Sequence, residues 1–298
     1  MKIVVIINPV AGANKHRAQL GKLITRLRST GIEVETRITE VAGHAQEIAA
    51  QAAKSAQKVL AVGGDGTICE IANGLADTDI PLIVWPTGTE NLFARSLGFR
   101  SNADSAFDCL TRGRVTPFDV GVANRRSFLT IVGVGFDAEA VHRLVRSRKG
   151  HITHLSYINP IWRTFWEYRF PSLKVAINGD TYWQGRGLVF IGNMSRYSLG
   201  LRVVRDARPD DGLLDLCILP CTNQAQLIGH SLRTLLHRHI EHPGVIYQKL
   251  THIRVESTFN IPVELDGEAA GYLPLDISIR PAAIRVQLPP NAPNVYNR

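Results

Sequence analysis

Short apolar runs alternate with amphipathic stretches over the first third of the chain. The runs KIVVII (2–7), IEVETRI (32–38), KVLAV (58–62) and PLIVW (81–85) have the length and β-branched content of buried strands. Between them lie segments of helical period: residues 14–29, with Leu20, Leu23, Ile24 and Leu27 on one side, then 44–56, then Thr67 to Leu75. This alternation predicts β/α units and a parallel sheet covered on both faces, whose ligands sit at the carboxyl ends of strands. Beyond about residue 116 the rhythm changes. FDVGVA, SFLTIVGVG, SLKVAING, GLVFIGN, LLDLCIL, HIRVES, VELDGE and IRVQL are β-like runs set off by turn signals, which predict antiparallel strands. Two helical insertions, 137–169 and 223–240, interrupt them.

Length and composition narrow the class. At 298 residues the chain has room for two domains, and 45% hydrophobic with 20% charged residues is the balance of a globular protein. No apolar run approaches the ~18 residues of a spanning helix. The start, MKIVVIINPVAG, reads as a first strand rather than a signal peptide, so the expected location is the cytoplasm. Cys69, Cys109, Cys217 and Cys221 form no Cys-x-x-Cys pair, which suggests reduced thiols. A net charge of +8 favours anionic partners. No helix-turn-helix, zinc-finger or aromatic RNA-binding signature accompanies that charge, so nucleic acid is not an expected partner.

Three predicted strand ends carry polar or glycine-rich loops: NPVAGANK (8–15), GGDGT (63–67) and PTGTEN (86–91). Glycines let backbone N–H groups approach an anion, and the start of the following helix adds a favourable dipole, so GGDGT fits a phosphate or ribose site. It also fits a plain strand-to-helix turn. Near the C-terminus, VELDGE sets Asp266 and Glu268 two residues apart. In extended backbone they point to one side, as a carboxylate pair for hydroxyl activation would. The same Asp-Gly is equally a hairpin turn.

Taken in order, NPVAG, GGDGTICE, PTGTENLFARSLG, RPDDGLLDLCIL and VELDGE resemble the motif series of the diacylglycerol kinase catalytic-domain family, which includes bacterial lipid kinases and sphingosine kinases. The resemblance runs along almost the whole chain. It implies an N-terminal Rossmann-like α/β domain of the NAD kinase and diacylglycerol kinase type over 1–116. A C-terminal β-sandwich domain with helical insertions follows over 117–284, and a tail over 285–298 packs back on the first domain. It further implies that Gly63, Gly64, Asp65, Gly66, Thr67, Ile68 and Cys69 cradle ATP, with Thr89, Thr39 and Asn8 as further contacts. Asp266 would be the general base and Glu268 its assistant or a holder of Mg²⁺. A structural Mg²⁺ would be bound by Asp211 and the carbonyls of Arg208 and Leu213. The implied reaction moves the γ-phosphoryl group of ATP to a lipid hydroxyl, in a cleft between the domains. The implied partner is a lipid at an anionic membrane surface, with peripheral membrane association and a homodimer as further expectations. Competing readings are a soluble-alcohol or NAD-type kinase and a catalytically altered lipid-binding regulator of the same fold.

Three positions depart from the family pattern: Cys69 stands where Asn is usual, Glu90 where a small residue is usual, and Leu92 where Asp is frequent. An inward, unpaired Glu90 about 4 Å from a phosphate would cost about 4 kcal/mol at an effective dielectric near 20. GVGFDA (133–138) mimics a dinucleotide fingerprint without the acid ~20 residues on. His237, His239 and His242 are expected on the solvated surface, since their spacing scatters them around a helix. Residues 151–170 mix Trp162, Phe165, Trp166 and Tyr168 with Arg163 and Arg169, a composition suited either to a membrane interface or to a helix packed on the sandwich.

Overall fold

The computed structural model describes residues 1–12, 17–146, 158–197 and 201–293. The chain divides into two compact units, one of residues 1–119 with 282–298, the other of residues 120–281.

The first unit contains β1 (Lys2–Ile7), α1 (Arg17–Ser29), β2 (Glu33–Ile38), α2 (His44–Ala52), β3 (Lys58–Gly63), α3 (Asp65–Gly74), β4 (Pro81–Pro86), α4 (Leu92–Ser96) and α5 (Ala103–Arg112). Its parallel strands lie in the order β2-β1-β3-β4. The interiors of β1, β3 and β4 are buried, because helices cover both faces and leave no strand face for water. On α1, Leu20, Leu23 and Leu27 make the buried stripe, as the periodicity predicts, and Ile24 sits at its edge. The chain leaves this unit within β5 (Arg114–Ala123) and returns to it within β15 (Leu275–Leu288). The returning strand runs parallel to β4, and its buried Gln287 donates to the carbonyls of Cys109 and Leu110 at the end of α5.

The second unit is antiparallel. It holds β6 (Arg126–Phe128), β7 (Ile131–Val134), α6 (Phe136–Arg146), α7 (Ile158–Glu167), β8 (Ser172–Ile177), β9 (Asp180–Gly192), β10 (Leu214–Pro220), α8 (Gln224–Leu235), β11 (Ile246–Leu250), β12 (His252–Glu256), β13 (Pro262–Leu265) and β14 (Glu268–Tyr272). Strand β9 is shared: its first half pairs with β8, and its second half with β7 and β10. Strict alternation assigns the faces. Val189 and Ile191 of β9, with Leu214, Leu216 and Ile218 of β10, enter the core between the sheets. Leu188, Phe190, Cys217 and Leu219 face the opposite way, into a second core with Tyr168, Phe170 and Leu227.

The pattern underestimates this unit at two places. The polar first half of β9 and the short β11 carry weak alternation and are strands because their neighbours pair with them. The run SFLTIVGVG, read as one strand, is broken between Phe128 and Ile131. There three backbone N–H groups leave the ladder for a side chain described below. Leu216 is fully buried in the inter-sheet core. Leu216→Ala is expected to lower stability by about 2–5 kcal/mol, read as a lower denaturant midpoint at unchanged slope.

Candidate active site

In the first unit the strand order reverses between β1 and β3, and ligands of open α/β sheets bind at such a switch point. Three loops meet there. The Asn8 amide donates to the Thr67 hydroxyl at 2.8 Å, joining the loop after β1 to the start of α3. Gly12 has φ +74°, and a Cβ built on it would lie 2.6 Å from the Thr87 carbonyl oxygen after β4. A Cβ on Gly88 would lie 2.8 Å from the Gly64 Cα, so the two glycine loops touch backbone to backbone. The structure thus brings Asn8, Gly63, Gly64, Asp65, Gly66 and Thr67 together. Ile68 is buried behind them, Cys69 lies part-buried one turn along, and Thr39 is buried at the end of β2 with its N–H on the Ile7 carbonyl. Thr89 is exposed on the third loop, and Glu90 is half-buried beside it.

The first turn of α3 has no side-chain cap, which leaves its N–H groups directed at the loop cluster. The aspartate among the glycines has a structural task. Asp65 Oδ2 accepts the Leu92 N–H (3.0 Å) and Oδ1 the Phe93 N–H (3.2 Å), capping α4. Glu70 does the same for α2, accepting the N–H groups of Gly43 and Ala45. Composition hides both tasks, because the capped N–H groups lie 25 to 28 residues from the acid in sequence.

In the second unit Asp266 and Gly267 are the two residues of the β13–β14 hairpin, with φ of +52° and +83°. This is the mirror-image turn that Asp-Gly favours. The backbone is therefore not extended at these positions, and Asp266 and Glu268 do not share a face. The Asp266 carboxylate crosses to the break between β6 and β7 and accepts the N–H groups of Leu129 (2.8 Å), Thr130 (2.8 Å) and Ile131 (3.0 Å) and the Thr130 hydroxyl (2.5 Å). Burial raises its pKa above the ordinary carboxylate value, while these four hydrogen bonds pull the other way. Glu268 lies on the exposed side, 4.0 Å from Arg126. Thr130 went unnoticed in the sequence, since nothing in SFLT marks it.

At the expected metal trio Arg208, Asp211 and Leu213, the one carboxylate is already engaged within the chain. Asp211 Oδ2 is 2.5 Å from the Lys249 ammonium, and Oδ1 accepts the Leu213 N–H at 3.1 Å. Lys249 also lies 3.8 Å from buried Asp215, and the Arg208 guanidinium pairs with Asp210. Among the described residues no three acidic, histidine or cysteine side chains form a metal cluster. His239 is fully buried with Nε2 on the Val203 carbonyl (2.7 Å), which corrects its expected place on the surface.

Of the aromatic segment, residues 151–157 lie outside the described residues. Tyr168 is buried in the second core, whereas Trp162 and Trp166 on α7 are each 62% exposed. On α8, Ile228, Leu232 and Leu235, followed by Leu236, are exposed as well, a stripe the sequence reading overlooked. Gln224 joins the two helices by donating to the carbonyls of Phe165 and Tyr168. Among the described residues no helix is long and apolar enough to cross a membrane.

Comparison with known proteins assigns the chain. Residues 2–123 match the diacylglycerol kinase catalytic domain, and residues 130–288 match the YegS C-terminal NAD kinase beta sandwich-like domain. A diacylglycerol kinase of Bacillus subtilis (strain 168) is 31% identical over 275 residues, 91% of this chain and 90% of its own length. One from Staphylococcus carnosus (strain TM300) is 30% identical over 296 residues, 97% and 96% of the two chains. The crystal structure of a diacylglycerol kinase from Bacillus anthracis str. Sterne superposes with a TM-score of 0.76 over 97% of both chains, at 25% identity. The chain belongs to the diacylglycerol kinase catalytic-domain family, with that family's N-terminal α/β domain and C-terminal β-sandwich-like domain.

Because Lys249 supplies the positive charge beside Asp211, chelating divalent ions is expected to leave the Tm of the ligand-free protein unchanged. Lys249→Met is expected to cost about 2 kcal/mol, by leaving Asp211 and buried Asp215 without their ammonium. Thermal unfolding with and without EDTA checks both.

Proposed function

We propose that the protein is a lipid kinase that transfers the γ-phosphoryl group of ATP to the hydroxyl of diacylglycerol or a related lipid. The observation that carries this reading is the meeting of three loops from this family's motifs at the switch point, beside an uncapped helix start. A triphosphate suits that place: Gly63 to Thr67 offer backbone N–H groups, Gly64 and Gly88 leave room for close approach, and Mg²⁺ would arrive with the nucleotide as part of the substrate. Asn8, Thr39, Ile68, Cys69 and Thr89 border the nucleotide in this reading.

Asp266 is the proposed general base. As the lipid oxygen attacks the γ-phosphorus, its proton passes to the Asp266 carboxylate and the bond to the β-phosphate oxygen breaks, releasing ADP. Fixed N–H donors hold this carboxylate in one orientation, and its raised proton affinity suits it to receive a proton. Glu268, on the exposed strand, is assigned no more than a supporting charge.

An apolar acceptor resides in a bilayer, so the enzyme must work at its surface. Trp162 and Trp166, with the exposed leucines of α8 and a net charge of +8, support contact with anionic lipid.

Radiolabelled ATP supplied with diacylglycerol, phosphatidylglycerol and sphingoid acceptors is expected to label a lipid product. Asp266→Asn should lower kcat at least ~100-fold with the far-UV circular dichroism retained; undiminished turnover in that variant would overturn the assignment of the base. In flotation with anionic liposomes, the double variant Trp162→Ala, Trp166→Ala is expected to remain with the unbound protein. Unchanged flotation removes α7 from the membrane contact.

A further inference from the structure

Behind the Asp266 hairpin lies a second acidic group that phosphoryl transfer leaves unused. Glu264, on β13, is fully buried and stands opposite Gly133 of β7 in the antiparallel register. Its Oε2 accepts the N–H of Gly267, the second turn residue, at 2.7 Å. Its Oε1 is buried without a well-formed hydrogen bond, although the Tyr197 hydroxyl also interacts with this carboxyl. The start of α6 brings Asp137 to the same spot. A Cβ built on Gly133 would overlap Asp137 Oδ2 and lie 2.6 Å from Glu264 Oε1, so the two carboxyl oxygens converge over the bare glycine. The Tyr197 hydroxyl donates to Asp137 Oδ2 at 3.1 Å.

Two buried carboxylates cannot face each other with both ionised, and one proton between them converts repulsion into a hydrogen bond. We infer that Glu264 and Asp137 share a single proton over Gly133, and that this protonated pair is a positioning device that holds the Gly267 N–H and thereby aims Asp266. Glu264 Oε1 carries the proton and donates it to Asp137 Oδ2, which also accepts from Tyr197. This arrangement gives Glu264 Oε1 the well-formed hydrogen bond it otherwise lacks. It also assigns a task to GVGFDA: Gly133 is bare because two acids meet above it, and Asp137 is one of them. Burial raises the pKa of both groups, Asp137 to about 6 and Glu264 well above its ordinary value.

The other titratable groups acting on the pair are Tyr197, Tyr168 and Asp266, and Glu139 and His142 stand on α6 with Asp137. Burial pushes both tyrosines upward and out of the neutral range. Glu139 is held by Arg143, and His142 Nε2 lies 2.9 Å from the Val263 carbonyl. All five are retained when Glu264 is changed, so their contribution cancels in the comparison.

The sign follows from the raised values. Stability from the shared proton is complete at acid pH and is lost as pH rises through the pKa values of the folded protein. As pH rises from the ordinary carboxylate range toward the raised value of the pair, the folding equilibrium should weaken by up to about tenfold per pH unit, because unfolding then releases one proton. Glu264→Gln replaces the protonated acid with an amide that makes the same two hydrogen bonds. It is expected to keep a native Tm at pH 7, to lose that pH-dependent decline, and to lack the protonated-carboxyl stretch that the infrared spectrum of the parent shows at neutral pH. Glu264→Ala, which can do neither, should lower the Tm at every pH. A parent spectrum without that band, or the same decline in Glu264→Gln as in the parent, overturns the inference.

The link to Asp266 rests on the proposed kinase reading. There, Glu264→Gln should retain lipid phosphorylation within about threefold and flatten its alkaline limb, while Glu264→Ala loses at least ~10-fold in kcat. Loss of activity in Glu264→Gln with its fold intact would count against the positioning role. A parent protein that phosphorylates no lipid defeats the kinase reading, yet it leaves the infrared band and the Tm profile as they are, so the two failures are told apart.

Discussion

A backbone N–H left over at the end of a strand or helix needs an acceptor, and burying one without a partner costs about 1–3 kcal/mol. Among the described residues several carboxylates reach across turns and elements to supply such acceptors, Asp119 for the Ala282 N–H among them. Asp65 takes the N–H groups that begin α4, and Glu70 those that begin α2. Asp266 takes three in the gap between β6 and β7, and Glu264 takes one in the turn beside it. Each acid fixes where a loop runs relative to a strand. The loops that phosphoryl transfer would use are among those held this way.

This use of acids changes how the motifs read. An aspartate between glycines invites a metal or a ribose, and an Asp-Gly-Glu invites a catalytic pair. In both places the side chain is first an anchor for backbone. Anchoring and chemistry are compatible: a carboxylate held by fixed N–H dipoles keeps one orientation, and a reacting group needs that most. The same economy appears at Asp211, where a lysine 38 residues away in sequence supplies the cation. It appears again over Gly133, where the bare glycine admits two acids at once.

Much of this was legible beforehand. The parallel strands of the first unit could be read nearly to the residue, because buried strands are continuous apolar runs and the helices between them show a clear 3.6-residue stripe. The glycine loops could also be read, since close backbone approach leaves glycine as the residue that fits. The second unit was less legible. The first half of β9 and the whole of β11 are paired but weakly patterned, and SFLTIVGVG looks continuous although a distant carboxylate interrupts it. Trp162 and Trp166 look no different in sequence from Tyr168, yet Tyr168 is buried and they are exposed.

By itself the sequence determined the order of elements, the two-part division of character near residue 116, and the glycines and acids available for chemistry, because periodicity and backbone permissiveness are local properties. Tertiary structure alone decided which acid meets which partner. Asp266 faces the 129–131 backbone rather than Glu268, Asp211 meets Lys249, and Glu264 meets Asp137. Those pairings depend on strand register and on where a helix begins in space, and no local pattern encodes a distance between residues 38 or 137 positions apart.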